Sequence, residues 1–225
     1  MFRRPAERQA TAETMLEAIA RDARETGALT GRPEIAAAVL GAMRGVPREA
    51  FVAEADRALA YENRPLPIGH GQTISQPFIV ALMTELLDIE PGARILEVGT
   101  GCGYQTAILC ALGAAVHSLE IVAPLAEAAA ARLAALGHAD AAIRTGDGHA
   151  GWPERAPFDG IIVTAAAPSV PPALVAQLGP GGRLVIPVGR AARTQSLQRI
   201  GKRDDGTTEV RRVLPVAFVP LTGGG

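Results

Sequence analysis

The chain has 225 residues, 22 Lys+Arg against 23 Asp+Glu, 48% hydrophobic and 20% charged residues. That is enough apolar material for one sizeable core and excludes a disordered or fibrous chain. A net charge of -1 also argues against a protein built mainly to grip nucleic acid. Only two cysteines, Cys102 and Cys110, occur, with no zinc-ligand spacing, so no metal site and a reducing cytoplasm are expected. The start, through Arg3, Arg4, Glu7 and Arg8, is charged where a secretory leader would be apolar.

In chain order, residues 5–45 are Ala-rich with apolar groups at helical spacing, Met15-Leu16-Ile19 and then Ile35-Val39-Met43, which predicts a helical preface. The stretch from Arg64 to Pro77 is punctuated by Pro and Gly and reads as too broken to form an element. A helix is expected through Phe78, Leu82 and Leu86. From Ala93 short apolar runs alternate with helical patterns: strands at 95–98, 116–119, 141–145, 160–163 and 183–186, and helices through 107–112, 123–136 and 172–178. Alternation of this kind predicts a mostly parallel sheet covered on both faces. Residues 195–201 and 210–219 flank Asp204-Asp205-Gly206, a turn signal, so the sheet is expected to end in an antiparallel ribbon. Residues 160–182 carry no charge, but Pro168, Pro171, Pro172 and Pro180 exclude a membrane-spanning helix. The expected division is an N-terminal extension, 1–90, packed on a core of 91–225.

Chemistry concentrates at the strand ends. Glu97-Val98-Gly99-Thr100-Gly101-Cys102-Gly103 closes one strand and opens a helix, which exposes backbone N–H groups at a helix N-terminus. Glu120 ends the next strand, placed for the two hydroxyls of a ribose, and Gly146-Asp147-Gly148 adds an acid for an adenine amino group. The glycine spacing lacks the form that cradles a pyrophosphate, and Glu97 beside the loop is read as repelling a diphosphate. S-adenosylmethionine, a cation, is therefore favoured over NAD. Ser75, just before Gln76-Pro77, reads from spacing alone as a helix N-cap. His70, Trp152 and Tyr104 read as loop and packing groups rather than chemical ones.

The runs Pro65-Leu66-Pro67-Ile68-Gly69-His70-Gly71-Gln72-Thr73-Ile74-Ser75-Gln76-Pro77 and Leu96 to Thr106 closely resemble the protein-L-isoaspartate O-methyltransferase family. The likeness continues through Gly146-Asp147-Gly148, 158–168, 180–189 and Phe218-Val219-Pro220-Leu221. The resemblance implies a class I S-adenosylmethionine-dependent α/β methyltransferase fold and methylation of L-isoaspartyl residues in damaged proteins and peptides. It makes Ser75 the active-site residue, with Thr73 and Ile74 lining the donor pocket beside it. Thr100, Glu120, Asp147, Gly148 and Thr222 become donor contacts, together with the loop of Glu97, Gly99, Gly101 and Cys102. A monomer acting on isoaspartyl proteins, with no nucleic-acid or membrane partner, is expected. A carboxyl methyltransferase with a dedicated peptide, or a silent donor-binding reader of damaged proteins, are the alternatives the residues leave open.

Overall fold

The computed structural model describes residues 10–190 and 193–224, so the charged first residues lie outside it. The helical preface is two helices, α1 (Ala12–Thr30) and α2 (Ala37–Gly45). Thr11 and Thr14 form a reciprocal cap at the start of α1, and Gly31, left-handed at φ 64°, ends it. A single 3₁₀ turn, Arg48–Phe51, follows α2.

The stretch expected to be too broken for an element is a small antiparallel hairpin, β1 (Leu66–Gly69) and β2 (Gln72–Ile74). His70 and Gly71 both sit at positive φ, 52° and 71°, which gives the two-residue loop the twist a hairpin needs. Leu66 and Ile74 pair across it and are both buried, so the hairpin is fastened by its core face. Next comes α3 (Pro77–Leu87), with Pro77 in the first helical turn. Its cap corrects the sequence reading. The N-cap residue is Gln76, without a side-chain cap, and Ser75 is left out of the helix start. The amide of Phe78 donates instead to Asn63 Oδ1 at 3.0 Å, a cap supplied from a distant segment.

The remaining strands and α-helices are β3 (Arg94–Val98), α4 (Tyr104–Ala111), β4 (Ala115–Glu120), α5 (Ala123–Ala135), β5 (Ala142–Thr145), β6 (Phe158–Val163), α6 (Pro172–Gln177), β7 (Leu178–Val188), β8 (Gln195–Lys202) and β9 (Thr208–Val216). They form a seven-stranded sheet in the order β5-β4-β3-β6-β7-β8-β9. Pairs from β5 to β7 are parallel, and β7-β8-β9 are antiparallel, the expected terminal ribbon. The ribbon's last strand stops at Val216, and residues 217–224 turn back across the strand ends.

Successive residues of each strand face opposite layers. Ile95, Ile162 and Val185 pack with α1–α4, including Met15, Ile19, Met43, Phe78 and Leu82, whereas Leu96, Ile161 and Leu184 pack with Trp152, Phe158 and Leu174 on the other face. The N-terminal helices thus share one core with the sheet. β3 has β4 on one side and β6 on the other, so the chain reverses its winding there, and a crevice opens beyond the C-terminal ends of these strands.

Candidate functional site

The floor of that crevice is backbone. After Val98 the chain passes Gly99, Gly101 and Gly103, all at positive φ. The amides of Gly99 and Thr100 donate to the Leu119 carbonyl at 2.8 and 3.2 Å, while Thr164 Oγ1 donates to the Gly99 carbonyl at 2.6 Å. The loop is therefore pinned to a strand neighbour on each side. A Cβ on Gly99 would lie 2.3 Å from Thr164 Oγ1, and one on Gly148 would lie 2.2 Å from Val98 Cγ1, so both positions need glycine for close approach. Gly103 is the N-cap of α4 and supplies no side-chain acceptor to its first turn.

The three acids expected at the strand ends have three different settings. Glu120 lines the crevice, and its two carboxylate oxygens accept from the amides of Gly101 at 2.8 Å and Val122 at 2.9 Å. That fixes the carboxylate and leaves lone pairs for a further donor. Glu97 is fully buried and does not line the crevice. Burial pushes its carboxyl up to about 7, against the lowering effect of hydroxyl bonds from Thr106 and Ser118. The reading of Glu97 as an anion beside the loop that repels a diphosphate is corrected: it is an enclosed brace behind the loop, with Oε1 unpartnered among the described residues. Ser118 also bonds the Thr100 hydroxyl at 2.6 Å, so Thr100 lines the crevice with its hydroxyl turned to the wall.

Asp147 likewise does not line the crevice, although its neighbours Gly146 and Gly148 do. Its carboxylate accepts from the amide of His149 at 2.9 Å and that of Gly224 at 2.6 Å. Partial desolvation works against ionisation there, but these N–H bonds hold its carboxyl below the usual range. Asp147 therefore ties the C-terminal tail down, and that tail puts Leu221 and Thr222 into the crevice. The small residues of 165–167 serve the same packing: Ala166 N donates to Val219 O, and Leu221 N donates to Ala166 O, each at 2.8 Å.

The opposite wall comes from β2 and the residue after it. Thr73, Ile74 and Ser75 line the crevice with Gly99, Thr100, Gly101, Cys102, Glu120, Gly148 and Thr222, which brings ten of the twelve expected site residues together in one crevice. A second groove, lined by Asp22, Glu25, Phe78, Ile79, Val216 and Phe218, meets the first at Thr73, Ser75, Thr164 and Val219. Ser75 is held through its carbonyl, which accepts from an Arg48 terminal nitrogen at 2.7 Å. Arg48 has no solvent exposure, and its Nε donates to Ala60 O at 2.8 Å. Sequence reading did not find Arg48, because an arginine in a charged-looking stretch carries no sign of burial. It also missed Thr164 and gave Tyr104 to packing. Tyr104 is buried and lines the crevice, and its phenol is pushed up to about 12 by burial. His70 lies exposed in the hairpin turn, outside the crevice.

A family model described as protein-L-isoaspartate(D-aspartate) O-methyltransferase matches residues 30–225. The chain belongs to the protein-L-isoaspartate(D-aspartate) O-methyltransferase family. Protein-L-isoaspartate O-methyltransferase 2 of Syntrophobacter fumaroxidans is 55% identical over 93% of this chain and 85% of its own length. Its namesake in Polaromonas is 54% identical over 93% of this chain and 99% of its own. Among solved structures, a beta-aspartate methyltransferase from Plasmodium falciparum in complex with S-adenosyl-L-homocysteine aligns at a TM-score of 0.77 and 27% identity, covering 94% of this chain and 98% of that one. The fold is that of a class I S-adenosylmethionine-dependent methyltransferase. Family membership and the crevice coincide, since the pinned glycine loop, Glu120 and the Ser75 segment all fall within the matched residues.

Proposed function

We propose that the protein transfers a methyl group from S-adenosylmethionine to the free α-carboxylate of L-isoaspartyl residues in damaged proteins and peptides. The observation that carries this reading is one crevice with a backbone-and-carboxylate wall for the donor and Ser75 at its junction with a second, open groove. The residues fit the donor. Glu120 would accept from ribose hydroxyls, Ile121, 40% exposed beside it, and Leu221 would cover a flat base, and the Gly99–Cys102 loop would hold the amino-acid end. Asp147 would act on the donor through the tail it anchors.

When bound, S-adenosylmethionine supplies a methyl group activated by a cationic sulfur. The chain's task is to bring an anion to it. An α-carboxyl is ionised at neutral pH, so no base has to remove a proton. The crevice agrees: Glu120 is the one carboxylate among its described lining residues, and it is already engaged by two amides. Ser75 would donate one hydrogen bond to a carboxylate oxygen and leave the other free to attack. Buried Ile74, Val98 and Leu119 line the same space and exclude water, which would otherwise stabilise the separated ions more than the dispersed charge of the transition state. Catalysis is then mostly alignment and exclusion.

Both cysteines are unpaired, which supports a reducing, cytoplasmic setting, and none of the described helices is long and apolar enough to cross a membrane. The N-terminal 1–90 segment supplies Ser75 and much of the open groove, and 91–225 most of the donor wall. The test is incubation with methyl-labelled S-adenosylmethionine and two peptides that differ only in an Asp or L-isoAsp linkage. Base-labile label on the isoAsp peptide alone is expected; equal labelling of both, or none while donor binds, contradicts the reading.

A further inference from the structure

Arg48 is a cation with no solvent exposure, set on a single 3₁₀ turn, and its two hydrogen bonds go to main-chain carbonyls rather than to an acid. Its other terminal nitrogen is buried without a partner among the described residues. A buried charge without a counter-ion is an expensive way to fasten a loop, and an apolar side chain would fill the volume without that cost. Its placement suggests what the cost secures. The guanidinium carbon lies 4.8 Å from the centre of the Tyr104 ring, and Phe51, from the same 3₁₀ turn, meets that ring edge-on at 5.3 Å and 67°. Tyr104 is the first residue of α4, directly after the glycine loop, and lines the donor crevice; Ser75 lines it from the acceptor side. One side chain thus touches both walls.

We propose that Arg48 is a positioning residue for methyl transfer, setting the distance between Ser75 and the donor wall by holding the Ser75 carbonyl while lying on the Tyr104 ring. In-line transfer requires the reacting atoms at about 3–3.5 Å, and a misplacement of about 1 Å costs roughly 100-fold. The groups assigned to the donor, the glycine loop and Glu120, receive no hydrogen bond from Arg48, whose bonds go to the Ala60 and Ser75 carbonyls. The role therefore acts on turnover and not on donor affinity. The inference rests on the methyl-transfer reading above.

The experiment compares Arg48→Lys and Arg48→Met with the wild-type chain for melting, S-adenosylhomocysteine affinity by calorimetry, and kcat and KM on the isoaspartyl peptide. A lysine ammonium lacks the planar fork that spans two carbonyls while stacking, so Arg48→Lys keeps the charge and loses the geometry. The expected result is a folded Arg48→Lys protein with S-adenosylhomocysteine affinity within about twofold of wild type, peptide KM changed less than about threefold, and kcat lowered about tenfold or more, with Arg48→Met lower still. Wild-type kcat in both variants, donor affinity falling in proportion to kcat, or failure of both to fold overturns the positioning role and makes Arg48 a strut of the fold. A wild-type chain that leaves the isoaspartyl peptide unlabelled overturns the functional reading itself, and the positioning role with it. Normal wild-type labelling beside any of those variant results overturns the positioning role alone.

Discussion

The two walls of the crevice are built in opposite ways. The donor wall is local backbone: Gly99, Gly101 and Gly103 lie within five residues, and their loop is pinned by the carbonyl of Leu119 and the hydroxyl of Thr164 from the adjoining strand ends. The acceptor wall is a short segment held by distant side chains. Arg48 reaches Ser75 across 27 residues, Asn63 caps α3 at Phe78 across 15, and Asp22 in turn accepts from Asn63 Nδ2 at 2.7 Å across 41. A wall made of backbone fails when the backbone cannot adopt its path, whereas a wall made of tethers fails one tether at a time. Damage to the first should remove donor binding, and damage to the second should remove turnover while donor still binds.

The largest expected effect is on the donor wall. In Gly99→Ala the new Cβ would meet Thr164 Oγ1 at a backbone φ of 97°, with strain on the order of 1–3 kcal/mol before any ligand is lost. Melting should fall and S-adenosylhomocysteine binding should disappear from calorimetry at concentrations that saturate wild type. Glu120→Ala should follow, leaving the amides of Gly101 and Val122 without their acceptor and weakening the donor analogue about 10–100-fold, with the peptide KM unchanged.

Glu97 sharpens the comparison, because it braces the donor wall from behind. Its carboxyl sits at about 7 in the folded protein against an ordinary 4.5, so between those values the folded state holds a proton the unfolded chain has lost. The stability this contributes is present below pH 4.5 and is lost as pH rises through 7, at a slope of up to about 1.4 kcal/mol per pH unit. Melting of the donor-free wild type should therefore decline from pH 5 to 8 relative to Glu97→Gln, whose neutral amide keeps the hydroxyl contacts. Parallel curves for the two would remove Glu97 as the source.

On the acceptor wall, Ser75→Ala should lower kcat about tenfold, the worth of one hydrogen bond to a charged group, and leave donor affinity alone. The smallest effect is expected at Asp147→Ala. Releasing the Gly224 amide should weaken the donor analogue about threefold and speed proteolysis of the tail.

The same contrast decides what could be read from sequence. The alternating strands and helices, the antiparallel ribbon and the glycine loop were legible because each depends on residues close together in the chain. Glu120 was legible because a strand end fixes where its carboxylate goes. Glu97 and Asp147 were placed near strand ends, but their surroundings were not legible: Ser118 and Thr106 enclose the first, and the amide of Gly224, 77 residues away, bonds the second. The hairpin around His70 was hidden by its prolines, since its pairing rests on a two-residue turn and on Leu66 meeting Ile74. Ser75 reached the site by resemblance; its spacing pointed to a cap that Asn63 supplies instead. Arg48 had no local signal, because burial of a charge is a property of everything packed around it.

The central claim is that the two walls bear separate steps. The direct measurement is calorimetric titration of S-adenosylhomocysteine onto Ser75→Ala and Glu120→Ala side by side, each with its kcat on the isoaspartyl peptide. The account predicts wild-type affinity with reduced kcat for Ser75→Ala, and a loss of affinity of about 10–100-fold for Glu120→Ala. Weakened binding in Ser75→Ala together with wild-type binding in Glu120→Ala would contradict it.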